Sequence, residues 1–298
     1  MSKQIKADII LLLITIVWGS SFPLMKNVLD HLSAFAYLSV RFLMAALVLA
    51  VIFFRHFRNL NGKVLLYGCI IGMTMFAGMA LQVNGLYTTT ASNSGFITGL
   101  NVVMVPVISA WLLKKKPDKS STIGVATAFI GLFFLTGGVN FRFNLGDFLT
   151  FLCSICWAFQ IILVDKFTNE QDPALLGIVQ ISFTSLASTA VWLTVDYKPL
   201  AFNSTVIVIL LITGLLGTAF AFGGQTIVQK DTSPTHTALI FTAEPVFAGI
   251  FSMLIPNSQG KTETLGPVTI IGCVLILAGM LIAELRIGEK GSRLKSGI

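Results

Sequence analysis

Ten stretches of about 20 mostly apolar residues, joined by short connectors, limit what this chain can fold into more than any other feature. They run Asp8–Val28, Ala34–Phe54, Val64–Leu86, Ser92–Leu113 and Thr122–Val139, then Gly146–Phe167, Pro173–Val195, Ser204–Gln229, Pro234–Leu254 and Leu265–Leu285. In hydrocarbon only helices and closed barrels satisfy their own backbone groups, and about 20 apolar residues span the core as a helix. The runs are continuous and lack period-two alternation, so barrel strands are not expected. The expected fold is an all-α integral membrane protein, with the lipid bilayer as its solvent. Charged residues make up only 11% of the 298, far below the quarter typical of soluble domains. Lys3 and Lys6 ahead of Ile9–Val17 resemble a signal peptide. No small-x-small cleavage site follows, however, and the run continues past Trp18, so an uncleaved first span is expected.

The net charge of +7 does not point to nucleic acid, because the basic residues sit in the connectors between spans. The even-numbered connectors and the two tails hold fifteen Lys and Arg, and the opposite side holds four. This bias puts both termini in the cytoplasm, and the expected location is the cell inner membrane. Cys69, Cys153, Cys156 and Cys273 all lie within apolar runs, where they read as small buried hydrophobes. No metal or other cofactor is expected. The enzyme signatures Gly-x-Ser-x-Gly, His-Glu-x-x-His and the Walker loop are missing, and an ATP-driven or enzymatic role is not expected.

The spans are written twice. Gln82 and Thr89 are seven apart, as are Gln225 and Thr232, while Asp8 to Trp18 and Asp147 to Trp157 are both ten apart. The units divide as residues 1–140 and 141–298. Five spans is an odd number, so the second unit enters the membrane from the opposite face, giving two inverted five-helix repeats. Gly124, Gly131 and Gly138 step by seven, as do Gly272 and Gly279, and Gly95-x-x-x-Gly99 lies in the fourth span. Small residues on one stripe are expected to be helix-packing surfaces, within the bundle or in a homodimer.

Polar groups inside the spans are the candidates for chemistry, since each is costly in hydrocarbon. Glu244, directly before Pro245, can serve as a proton-coupling group or a contact for a substrate amine; the competing reading is a hydrogen-bonded carboxyl that fixes a proline kink. Arg41 can grip a carboxylate with its forked guanidinium, or it can snorkel or pair with a neighbouring helix. Gln82, Asn84, Asn101, Gln160 and Gln225 are expected to point inward, toward other helices or a wet cavity. Trp18 and Trp157 occupy equivalent mid-span positions and can line a cavity or simply pack. His236, at the start of the ninth span, reads as a solvated helix-end residue.

The segments Trp18-Gly-Ser-Ser-Phe-Pro-Leu-Met-Lys26, Gln82 through Thr90 with Gly95-Phe-Ile-Thr-Gly99, and Thr232-Ser-Pro-Thr-His-Thr-Ala-Leu-Ile240 with Ala243-Glu-Pro-Val246 resemble the EamA branch of the drug/metabolite transporter superfamily. The resemblance covers both halves. It implies ten helices in two inverted repeats and export of small metabolites, commonly amino acids or their relatives. The chain departs from the pattern at Leu113-Lys-Lys-Lys116 and Leu254-Ile-Pro-Asn257, where the family often has Leu-Gly-Glu, and at Asp231, often a tyrosine. The expected function is secondary active export by alternating access, driven by protons or the substrate's own gradient, from a monomer or homodimer. A multidrug exporter of the same fold is the nearest alternative, and a membrane-embedded lipid enzyme a more distant one.

Overall fold

The structure, a computed structural model, describes residues 3–112, 114, 118–135, 144–256, 260–262, 264 and 266–284. The expected span ends at Leu113, Val139, Leu265 and Leu285 lie outside them, as do Gly138, most of Leu113–Lys116, Asn257 and the basic tail Arg286–Lys295. Among the described residues there are helices and no strands. They are α1 (Lys3–Val28), α2 (Ala34–Ile52), α3 (Gly62–Gly85), α4 (Ala91–Gly99), α5 (Asn101–Leu112), α6 (Lys119–Leu135), α7 (Leu145–Thr168), α8 (Pro173–Thr194), α9 (Ser204–Leu211), α10 (Ala221–Val228), α11 (Pro234–Phe241), α12 (Glu244–Leu254) and α13 (Pro267–Glu284). Among the described residues eight spans are long and apolar enough to cross a membrane, and shorter apolar helices stand at the fifth and tenth positions. Apolar side chains exposed along the outside, such as Leu47, Val51, Leu186 and Val274, are what a lipid-facing surface requires.

The helix starts follow local chemistry. Asn61, Asn144, Asp172, Asn203 and Ser233 each cap a helix by accepting amides of its first turn. At α7 the cap is reciprocal: the Asp147 carboxylate accepts the Asn144 amide at 2.9 Å, and the Asn144 side chain accepts the Asp147 amide at 3.0 Å.

Three expected continuous spans are interrupted. The fourth breaks at Leu100 between α4 and α5, and the ninth at Thr242–Ala243 between α11 and α12. In the ninth, Pro245 has no amide to give to the carbonyl of Phe241. The turn tightens, with the Ala243 amide reaching Ile240 at 3.1 Å. The fourth tightens in the same way at the equivalent place, where the Leu100 amide bonds Ile97 at 3.2 Å just after Gly99. In the eighth span, α9 and α10 are joined by a π-helical stretch, Ile212–Phe220. Its wider turn appears again in the Thr218 hydroxyl, which donates to the Thr213 carbonyl five residues back at 2.9 Å.

Packing follows the repeat. α2 lies against α8, its own counterpart, and α6 lies against α13. The contact of α1 with α12 is matched by that of α7 with α4 and α5, and the contact of α3 with α7 by that of α10 and the π stretch with α1. The glycine stripes of the fifth and tenth spans meet inside the bundle. A Cβ on Gly279 would stand 2.6 Å from the Gly124 carbonyl oxygen, and one on Gly131 would stand 2.8 Å from that of Gly272. These stripes pack helix to helix within one chain.

Candidate functional site

Where the two repeats meet lies a cavity whose free space, counted out into open solvent, is about 460 Å³. Of the residues singled out in the sequence, Trp18, Arg41, Gln82, Asn101, Trp157, Gln160 and Glu244 line it. Gln225 lies one layer behind, donating to the Gln160 carbonyl oxygen at 3.1 Å. Asn84 stands apart: its amide donates to the Ala80 carbonyl one turn back at 2.8 Å, so its polarity is satisfied within its own helix.

The lining is itself duplicated. Positions in the first two helices of each half are related by 139 residues, and those in the third and fourth by 143. These offsets pair Trp18 with Trp157, Ser21 with Gln160, Met79 with Phe222, Thr98 with Phe241 and Asn101 with Glu244, and every one of these residues faces the cavity. Asn101 and Glu244 each open the second segment of a broken span, so the two helix breaks present them to the same space. The cavity's two charges fall where the halves differ: Glu244 answers to Asn101, and Arg41 to Gln180.

Arg41 is 1% exposed. Its Nε donates to Thr218 Oγ1 at 2.7 Å, Nη2 to the Gly217 carbonyl at 3.2 Å, and Nη1 to Tyr37 Oη at 3.2 Å and Met25 Sδ at 3.3 Å. The rings of Phe42 and Tyr37 lie 5.6 and 5.7 Å from its guanidinium carbon. The π stretch thus supplies two of its acceptors. The Gly217 carbonyl is shared with the Trp18 indole, which donates at 3.0 Å. Neutral partners orient the guanidinium but leave its charge uncompensated, and Arg41 forms no ion pair with a carboxylate among the described residues. Glu244 likewise has neither a hydrogen bond nor an ion pair among them. The Asn101 carbonyl oxygen and that of Gln225 are buried without a partner.

Aromatic rings form the apolar walls. Phe222 is central, with its centroid 4.8 Å from Trp18 and 5.5 Å from Trp157, the latter nearly parallel at 13°. Phe241 meets Trp18 edge-on at 4.9 Å. Sequence reasoning missed Phe222, Phe241, Met79 and Thr98. Carrying the offset between Gln82 and Gln225 along the third and fourth spans would have flagged them as two pairs. A polar ladder extends behind the cavity: Gln180 donates to Thr226 at 2.6 Å, Gln225 to Gln229 at 2.9 Å, and Gln229 to the Ile161 carbonyl at 2.6 Å. His236 is 9% exposed, with Nε2 at 3.8 Å from the Asp8 carboxylate. It is therefore buried against α1, which overturns the expected solvated position.

The EamA-like transporter family matches the chain twice, over residues 5–137 and 144–285. The chain belongs to this family. An uncharacterized transporter of Archaeoglobus fulgidus is 36% identical over 285 residues, covering 96% of this chain and 88% of the relative. The uncharacterized transporter YyaM of Bacillus subtilis is 25% identical, covering 99% of this chain and all of that one. A crystal structure shares the fold with a TM-score of 0.75 at 16% identity, over 94% of this chain and 98% of the other. The protein is a membrane transporter of the drug/metabolite superfamily, and the cavity between its repeats is the candidate substrate site.

Proposed function

We propose that the protein is a secondary active transporter that exports amino acids or closely related zwitterions across the cytoplasmic membrane by alternating access, with both termini in the cytoplasm. The observation that carries this reading is one cavity lined by a buried guanidinium and a carboxylate, neither of them ion-paired among the described residues. A ligand bearing both charges would compensate both, whereas a ligand of one sign leaves the other charge exposed in a low-dielectric space. The substrate carboxylate lies on Arg41, which its neutral partners hold in place. The substrate amine lies on Glu244, with the unpartnered Asn101 carbonyl oxygen as a further acceptor. The side chain rests among Trp18, Trp157 and Phe222.

Glu244 is also the group for proton coupling, since a carboxyl without a protein partner can exchange a proton for a substrate amine. The aromatic walls and the single carboxylate favour a second reading, export of organic cations. The uncompensated charge of Arg41 argues against it.

The test is counterflow of labelled amino acids in proteoliposomes, with and without an imposed pH gradient. Uptake of at least one amino acid, inhibited by its unlabelled form, supports the reading. Exchange of drug-like cations with no amino-acid exchange across a broad panel would replace it.

A further inference from the structure

We infer that the fold carries two latches related by the internal repeat, one at each face, and that the structure has the face opposite the start of α1 fastened; this rests on the transporter reading above. At that distal face the link between α3 and α4 is tied to the start of α7. The Thr89 hydroxyl donates to Asp147 Oδ1 at 2.6 Å, and Asp147 is fully buried. Lys26 from the end of α1 donates to the Thr89 carbonyl at 2.7 Å. The backbones of Gly85 and Gly146 meet so closely that a Cβ on Gly85 would stand 2.9 Å from the Gly146 carbonyl oxygen. A side chain at either position would hold the two helix ends apart.

The repeat offsets place the same pair of residues at the other face. The counterpart of Thr89 is Thr232, in the link between α10 and α11, and the counterpart of Asp147 is Asp8, near the start of α1. Here the hydrogen bond is not made. The Thr232 hydroxyl is shielded from solvent and has no hydrogen-bond partner, while Asp8 lies 3.8 Å from His236 Nε2. The reinforcing residues are not repeated: Gly85 and Gly146 are answered by Val228 and Ala7, and Lys26 by Asp165. A groove flanked by Asp8 and His236 lies between α1, α11 and α13.

The threonine–aspartate pair therefore occurs at both faces, but among the described residues the glycines and the lysine that reinforce it stand at the distal one alone. Alternating access gives this arrangement a use. Rocking the repeats breaks Thr89–Asp147 as Thr232 reaches Asp8, so one latch is made in each state. The added contacts set the resting bias toward a closed distal face.

The test reads distances by pulsed electron resonance on protein lacking Cys69, Cys153, Cys156 and Cys273. One spin-label pair sits at the distal face (Thr90→Cys with Leu145→Cys) and one at the other (Lys6→Cys with Asp231→Cys). Thr89→Val is expected to shift the distal populations about tenfold toward the longer distance, the scale of one charge-assisted hydrogen bond, while the opposite pair shortens. Thr89→Ser keeps the hydroxyl and should retain the parent distances. Adding Thr232→Val to Thr89→Val should undo the shortening at the other face. Unchanged distances in Thr89→Val would overturn the inference. So would lengthening of both pairs together, which would make the bond a general structural clamp. No substrate is needed, so the result is independent of the counterflow outcome.

Discussion

At the residue scale the most informative side chain is Arg41. Burying a guanidinium among neutral acceptors is costly, and the position is useful only if an anion arrives to complete it. Its donors span a fork: Nε and Nη2 reach the π stretch, and Nη1 reaches Tyr37 and Met25. Lysine keeps the charge but has neither the plane nor the fork. Arg41→Lys is therefore expected to weaken substrate binding by at least roughly tenfold, the effect of losing one charge-assisted contact of about 1.5–3 kcal/mol, as measured by the half-saturating concentration in counterflow. A variant with parental affinity would show that charge alone suffices. Glu244 supports a separate expectation. Glu244→Gln removes the exchangeable proton while preserving shape, so counterflow should become indifferent to an imposed pH gradient. Full gradient dependence in a folded Glu244→Gln protein would remove the proton from this carboxyl. These two residues were legible in the sequence because charge in hydrocarbon stands out. Phe222 was not, since an apolar side chain looks the same whether it faces lipid, a neighbour or a cavity. Asn84 shows the converse: polarity marked it, yet its own helix satisfies it.

At the element scale, backbone approach explains more than side-chain identity. The crossing of α6 and α13 relies on glycine at three places, Gly124, Gly131 and Gly279, with the Gly124 and Gly279 carbonyl oxygens each 2.6 Å from where the other's Cβ would stand. Gly279→Ala must push the helices apart, at a cost of about 1–3 kcal/mol, read as a lower thermal midpoint in detergent. Gly62→Ala, at the open start of α3, is the matched control and should leave the midpoint in place. The connectors have their own chemistry. Asp172 caps α8 and holds His56 of the α2–α3 link at 2.8 Å. Partial burial pushes its carboxyl up, but the His56 side chain and the amides of Leu175 and Ala174 outweigh that and hold it below the usual range. A carboxyl lowered in the folded state contributes stability above its unfolded value, and that contribution is lost as pH falls through the folded one. The link at 54–61 should therefore stay protected from hydrogen exchange at neutral pH and loosen below about pH 4. Asp172→Asn retains a cap but should abolish this acid dependence; if the dependence persists, another group is responsible. The spans were legible because each is a continuous apolar run of about 20 residues. The breaks were not placed: Pro245 announced a kink, but the matching break at Leu100 has no proline beside it, and nothing in the apolar run Ile212–Phe220 separates a π turn from an α turn.

At the scale of the whole molecule, the repeat turns a short set of residues into a binding site. Inversion brings Trp18 to Trp157 and Asn101 to Glu244 across one cavity, so a symmetric frame holds an asymmetric pair of charges. The same inversion predicts sidedness. Each half has five spans, so corresponding connectors of the two halves open to opposite sides of the membrane, and the proposed orientation, with the excess of basic residues inside, puts the α2–α3 connector in the cytoplasm. Lys63, at the start of α3, and Lys198, in the link after α8, are both exposed and stand at corresponding places in the two halves. In protein without its native cysteines, Lys198→Cys should react with a membrane-impermeant maleimide added to intact cells, and Lys63→Cys only after permeabilisation. Labelling of Lys63→Cys alone in intact cells would reverse the orientation while keeping the inversion. Labelling of both from one side would mean an even number of crossings between them. That result cannot be reconciled with α3, the broken fourth span, α6, α7 and α8 each crossing once.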